Sequence, residues 1–300
     1  MADSRIFETS ENHRVDRPAW KGVIAFLILC LGSQYLLVWG VGTGALPRNF
    51  YNLRIFGPLG SALAVFWWMG GWPAVGKLLA PLLKWRCHWQ WYVFVLVWLT
   101  LFSMALLVLE NLVMGRGWAP IPLDFSNANP FVDDPDQAAV ARSILRGSVV
   151  TAVVEEVAWV SCCMMLLTRY FTWLVASLVT SVFWCSWWVP VILFGDGVIP
   201  GLPVPVLFVH YMGLAATCMW VYYYTRSALL VIVMQFITNM VSLIIPVLPD
   251  SGGSGTYLVY VFSKCALILV LFMKFGPKPL WRKSVPLHPP GQETLPLPAA

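Results

Sequence analysis

The chain has 300 residues, of which 59% are hydrophobic and only 11% charged, with a mean hydropathy of +0.74. That leaves too little polar surface to wet a globule of this size, so a water-soluble domain is excluded and a polytopic membrane protein is expected. The net charge of +5 would suggest a nucleic-acid partner in a soluble protein, but here the basic residues flank apolar runs, membrane topology explains them, and no nucleic-acid partner is expected.

Residues 1–19 are polar and carry both signs of charge ahead of a long apolar run, which reads as a cytosolic segment before a first span and not as a cleavable signal. Eight apolar runs of about twenty residues follow, each long enough to cross a bilayer as a helix. They are Trp20 to Gly42, Ile55 to Val75, Trp89 to Leu109, Gly147 to Thr168, Tyr170 to Phe194, Pro203 to Tyr224, Ser227 to Leu248 and Thr256 to Met273. The expected fold is therefore an all-α membrane bundle of about eight transmembrane helices, with a membrane domain over residues 20–275. Gly70, Gly71 and Pro73 break the second run near one end. The eighth contains Lys264, which must snorkel or find a partner, and a snorkel toward the helix end is the favoured outcome. Trp20, Trp72, Trp85, Trp89, Tyr170 and Tyr222 to Tyr224 crowd the run ends, as amphipathic rings do at a headgroup belt. Residues 276–300 hold prolines at 277, 279, 286, 289, 290, 296 and 298 and read as a disordered tail. No internal repeat is visible.

Lys and Arg distribute unevenly between the two sides of this topology. The N-terminal segment together with Lys21 at the edge of the first span, the second, fourth and sixth loops and the tail carry thirteen, whereas Arg48, Arg54, Arg116, Arg142 and Arg146 are the five on the other side. The positive-inside rule then places both termini in the cytosol. The only long loop, Glu110 to Arg146, contains Asp133, Asp134 and Asp136, which lack the spacing of an oxygen-ligand cation site and read as a solvated acidic loop. Six of the seven cysteines fall in spans and Cys87 in a loop, so they read as small buried hydrophobes, and no disulfide framework, metal or cofactor is expected.

One stretch stands out chemically. Glu155 and Glu156 sit in the run Gly147 to Thr168 with no other charge between Arg146 and Arg169. An ionised carboxylate at bilayer depth costs at least a few kcal/mol, so an intramembrane pair is a candidate functional site. Trp159 follows Glu155 by four residues and so shares its helical face. In the next run Trp184 and Trp188 are i, i+4 partners flanking Trp187, and Pro190 should kink or end that helix. Gln235 and Asn239, again at i and i+4, draw a polar stripe on the seventh span, and polar side chains in lipid point inward. His210 adds one titratable group in the sixth.

The series Glu155-Glu156-Val-Ala-Trp159-Val160-Ser161, Trp184-Cys-Ser-Trp187-Trp188-Val-Pro190 and Gln235-x-x-x-Asn239 resembles the CPBP family, the CAAX protease and bacteriocin-processing (Abi) proteins, whose members are intramembrane glutamic endopeptidases. The family motifs are E-E-x-x-x-R, F-x-x-x-H and H-x-x-x-N/B, and many members write the first two as EEpGWRG and W-x-x-W-H-x-P. The resemblance covers roughly Ile144 to Pro249, with the double glutamate and the tryptophan and proline context as its most specific parts. It implies that a glutamate activates water against a scissile carbonyl while histidine and asparagine orient that water or stabilise the oxyanion. On this chain those roles fall to Glu155, Glu156, Gln235 and Asn239, with Trp159, Trp184, Trp187, Trp188 and His210 lining the substrate and a hydrophobic or prenylated molecule as substrate.

The departures from the pattern are equally specific. The motif arginine falls on Val160, the second-motif phenylalanine and histidine on Trp184 and Trp188, and the third-motif histidine on Gln235. Losing both imidazoles removes the groups best suited to shuttle protons near neutral pH. Three readings follow: a hydrolase built on the peptidase scaffold, a glutamate-dependent enzyme acting on an isoprenoid, such as a cyclase that shelters a cation against indole faces, or a non-catalytic pseudoprotease that binds lipidated peptides.

Overall fold

The computed structural model describes residues 19–115, 137–194 and 203–281, and among them every regular element is helical. Eight helices result: α1 Ala19–Gly42, α2 Gly57–Leu79, α3 Trp89–Val113, α4 at 137–167, α5 Trp173–Phe194, α6 Val204–Thr225, α7 Ala228–Ile244 and α8 Pro249–Phe275. Short 3₁₀ turns at Arg48–Phe56 and Ala80–Leu83 flank α2. The chain is a polytopic helical membrane bundle, and six of its helices are long and apolar enough to cross a bilayer. Residues 1–18, the acidic cluster Asp133, Asp134 and Asp136, and the tail from 282 lie outside the described residues.

Several boundaries depart from the pattern of apolar runs. Helix α4 begins at Gln137 and so takes up the end of the expected third loop. Helix α2 is interrupted at Gly70 and Gly71, where Gly71 has φ 66 and ψ −159, and Pro73 follows immediately. That backbone region is open to glycine and closed to almost any side chain. Helix α7 has only 17 residues, because its last turn gives way to extended backbone at Ile245 ahead of Pro246. Helix α8 starts at Pro249 and has a break at Gly253, φ 81.

Helix α4 is the axis of the bundle. Its middle stretch packs against α2, α5, α6 and α7, while α1 covers α2 and α5 on one flank and α3 and α8 close the other. In lipid there is no hydrophobic drive for helices to associate, so close approach and dispersion must supply the attraction. The α6–α8 contact shows how: a methyl on Gly213 would stand 3.2 Å from the Cys265 backbone, tighter than ordinary van der Waals contact, so the glycine favours the close approach of the two helices. Rings fill the wider gaps. Trp91, Phe94, Trp98, Phe102 and Tyr260 form a continuous ladder of ring contacts from α3 to α8, and offset or edge-on pairs of this kind contribute about 0.5–1.5 kcal/mol each. At the run ends Trp20, Trp72, Trp85 and Trp89 are exposed, where a headgroup belt would receive them.

Lys264 overturns the expectation of a snorkel. It is buried, its Nζ 3.2 Å from His210 Nδ1 and 4.8 Å above the Tyr260 ring. The residue lies eleven positions before the end of α8, too deep for its stem to reach the headgroups, so it finds partners inside the protein instead.

Candidate active site

The two glutamates stand where α4 changes its winding. Residues Gln137–Glu155 are α-helical, Glu156–Met164 form a π-helix, and Met165–Leu167 return to the α form. In an α-helix residues i and i+5 point about 140° apart, whereas the wider π turn brings them into register. Ser161 thereby comes over Glu156, and its hydroxyl donates a 2.8 Å hydrogen bond to Oε1. Glu156 is fully buried and Glu155 nearly so. Oε1 of Glu155 and Oε2 of Glu156 have no hydrogen-bond partner among the described residues. Buried polar atoms left in that state are uncommon and call for an explanation, a ligand among them.

Helix α5 faces this pair with its tryptophans. The indole N–H edges of Trp184 and Trp188 are turned to the Glu155 carboxyl, although neither closes to hydrogen-bond geometry. Trp159 stacks on Trp184 with ring centres 5.9 Å apart and meets Phe26 of α1 edge-on at 5.4 Å. Trp187 turns away: it packs at right angles to Trp188, 5.0 Å between centres, and its carbonyl accepts a 2.9 Å bond from Gln34 Nε2. Pro190 does not end α5, which runs on to Phe194.

Helix α6 supplies Tyr211 and Cys218, which sequence reasoning passed over, and Tyr222, which is buried and so does not take the place in the headgroup belt expected of it. Tyr211 packs on Trp184 at 5.3 Å and lies near both Trp188 and Glu155. Cys218 is within electrostatic range of both carboxyls, and Tyr222 of Glu156 and Ser161. The spacing 211, 218, 222 puts all three on one helical face, a signal that was available but is indistinguishable from ordinary packing in a helix so rich in apolar residues. His210, one position off that face, turns to Lys264 of α8 instead of joining the carboxyls.

Gln235 is 2% exposed, and neither its amide oxygen nor its nitrogen has a partner among the described residues. Its helix, α7, packs directly on α4 through both the α and the π stretch. Asn239, one turn further on, is only partly buried. No group of three or more His, Cys, Asp or Glu side chains among the described residues could hold a metal ion. The chemistry on offer is thus two protonatable carboxyls, indole N–H donors that can give but not accept a hydrogen bond, and a primary amide.

The model of the type II CAAX prenyl endopeptidase Rce1-like family matches residues 137–241. No curated protein matches the chain. The matched stretch runs from the start of α4 through most of α7 and contains every motif residue from Glu155 to Asn239, so the chain is an integral membrane protein whose core is similar to the type II CAAX prenyl endopeptidases.

Proposed function

We propose that the chain is a glutamate-dependent intramembrane hydrolase with altered chemistry, acting on a lipid-tailed and by preference prenylated peptide. One observation carries the reading: a buried carboxyl oxygen of Glu155, without a partner among the described residues, beside indole N–H groups that have none either. In this scheme Glu155 takes a proton from water and the hydroxide adds to the scissile carbonyl. The amide N–H groups of Gln235 and Asn239, with the Trp188 indole, hold the oxyanion, and the proton passes from Glu155 to the departing amine. Glu156, held by Ser161, shares the second charge of the pair. Trp159 and Trp184 lie along the apolar tail.

The family's imidazoles can accept and return protons, and indoles cannot, so the carboxyl pair must carry every proton transfer. This favours slow turnover over the complete motif set. A second reading rests on the same substitution: the stacked Trp159–Trp184 pair beside a carboxylic acid suits protonation of an isoprenoid alkene and shelter of the resulting cation. Incubating the purified chain with a farnesylated peptide and with linear isoprenoid substrates, with mass detection of products, separates the two. Release of a C-terminal fragment supports the hydrolase, a cyclised isoprenoid supports the alternative, and neither product with Glu155-dependent retention of the peptide identifies a binder.

A further inference from the structure

At the end of the bundle where α1, α3, α5 and α7 begin and α2, α4, α6 and α8 finish, side chains of one connection close on the backbone of another. The Tyr170 hydroxyl accepts a 3.0 Å bond from the Trp20 backbone N–H, and the hydroxyls of Thr172, Tyr224 and Ser227 donate to the carbonyls of Leu280, Phe275 and Lys84. Eight Lys and Arg residues stand at this end, whereas residues 19–21, 76–88, 168–172, 225–227 and 274–281 contain no Asp or Glu. Glu110 belongs to the opposite end, where it accepts a 2.7 Å bond from Thr256. Lys77, Lys84, Arg86 and Lys274 are exposed. Three cations lie over rings that are themselves exposed: Lys21 is 5.7 Å from the ring centre of Trp20, Arg86 5.0 Å from that of Trp85 and Lys274 5.2 Å from that of Phe275. Exposed indoles settle at headgroup depth in a bilayer, so the charges stacked on them are held at that depth too.

Helix dipoles account for only part of this charge. Lys77 and Lys274 sit in the last turns of α2 and α8, where a cation meets the carbonyl ends favourably. Lys21 sits in the first turn of α1 and Arg86 just ahead of α3, where the same dipoles oppose a cation. With no carboxylate in their own connections, charges kept against that opposition are matched by anions from the leaflet they enter. We propose that this end of the molecule is a binding surface for anionic phospholipid, and that it gathers a shell of singly charged headgroups around the bundle. The cations are distributed over the ends of α1, α2 and α8 and the connection ahead of α3 instead of belonging to one loop, which matches many monovalent headgroups better than a single polyvalent one. Each Lys or Arg near such a surface favours it about fivefold. The surface is separate from the glutamate pocket and operates whatever reaction that pocket performs.

The test is lipid selectivity, which needs no turnover. The full chain is reconstituted in phosphatidylcholine vesicles, and the motionally restricted fraction of spin-labelled phosphatidylcholine, phosphatidylserine and phosphatidylinositol bisphosphate is measured by electron spin resonance. The expected result is that phosphatidylserine associates about fivefold more strongly than phosphatidylcholine, the worth of one surface cation, and that about 1 M salt reduces the ratio toward one. The combined variant Lys77→Gln, Lys84→Gln, Arg86→Gln and Lys274→Gln should lose most of the preference, whereas Lys77→Arg, Lys84→Arg, Arg86→Lys and Lys274→Arg together should keep it. The restricted fraction of phosphatidylcholine, unchanged in both variants, reports that the bundle is intact. Equal association of the serine and choline lipids overturns the proposal, as does a preference that survives the four glutamines. Selectivity confined to the bisphosphate overturns the shell of singly charged lipids.

Discussion

Glu155 and Glu156 are neighbours in sequence with unequal surroundings. Each keeps one carboxyl oxygen unpartnered among the described residues, but Glu156 is tied by the Ser161 hydroxyl, whereas Glu155 lies beside the indoles of Trp184 and Trp188. On the proposed reading Glu155 is the reacting carboxyl. Glu155→Gln should lower product formation about a hundredfold or more, since an amide cannot take a proton from water, and full activity in that variant would remove the residue from the mechanism. Trp188→His separates the two catalytic readings. It should raise peptide cleavage by returning an imidazole to the second motif, but it should slow an isoprenoid reaction by about five- to thirtyfold, the equivalent of roughly 1–2 kcal/mol of lost cation stabilisation. Ser161→Ala removes the hydrogen bond that the Ser161 hydroxyl donates to the buried Glu156 carboxyl, so thermal unfolding in detergent should reveal a loss of about 1–3 kcal/mol. An unchanged midpoint would mean that the bond contributes nothing net.

At the scale of elements, the widened turn of α4 and the short helix α7 do most to shape the site. Gln235 costs the fold a buried amide with neither atom partnered among the described residues, and such a cost is retained where it serves function. Gln235→Leu should therefore leave thermal stability unchanged or raised while turnover falls. A stability loss of the size expected for a core hydrogen bond would instead make it structural. The break in α2 makes a separate test. Gly71 has φ 66, and a Cβ there would meet nothing closer than Pro73 at 3.7 Å, so space is not limiting. Gly71→Ala should still destabilise by about 1–3 kcal/mol through backbone strain alone, read again as a shift in the unfolding midpoint.

For the whole molecule, the distribution of Lys and Arg proposes both termini in the cytosol. The connection that carries Arg54 would then lie on the opposite face. Single cysteines placed within 1–18 and within 282–300, on a background freed of Cys87, should resist a membrane-impermeant thiol reagent in intact cells and react after permeabilisation. Labelling without permeabilisation would reverse the orientation.

Composition and the length of apolar runs were enough to establish the fold class and the number of helices, because backbone groups in lipid must be satisfied within each segment and only helices of a set length manage it. The glutamates, the tryptophan motif and the polar residues of α7 were equally legible, since a polar residue in an apolar run stands out whatever its neighbours do. What lies between helices was not. The π winding that sets Ser161 over Glu156 lies where α4 packs against α2, α5, α6 and α7, and no local pattern announces it. Tyr211, Cys218 and Tyr222 reach the carboxyls, and His210 and Lys264 reach each other, through the rotation of α6 against its neighbours, a quantity set by packing and not by spacing. Arg54 is the clearest case: a loop arginine in the sequence, it comes to rest on Trp188, more than a hundred residues away, only because α1, α2 and α5 converge.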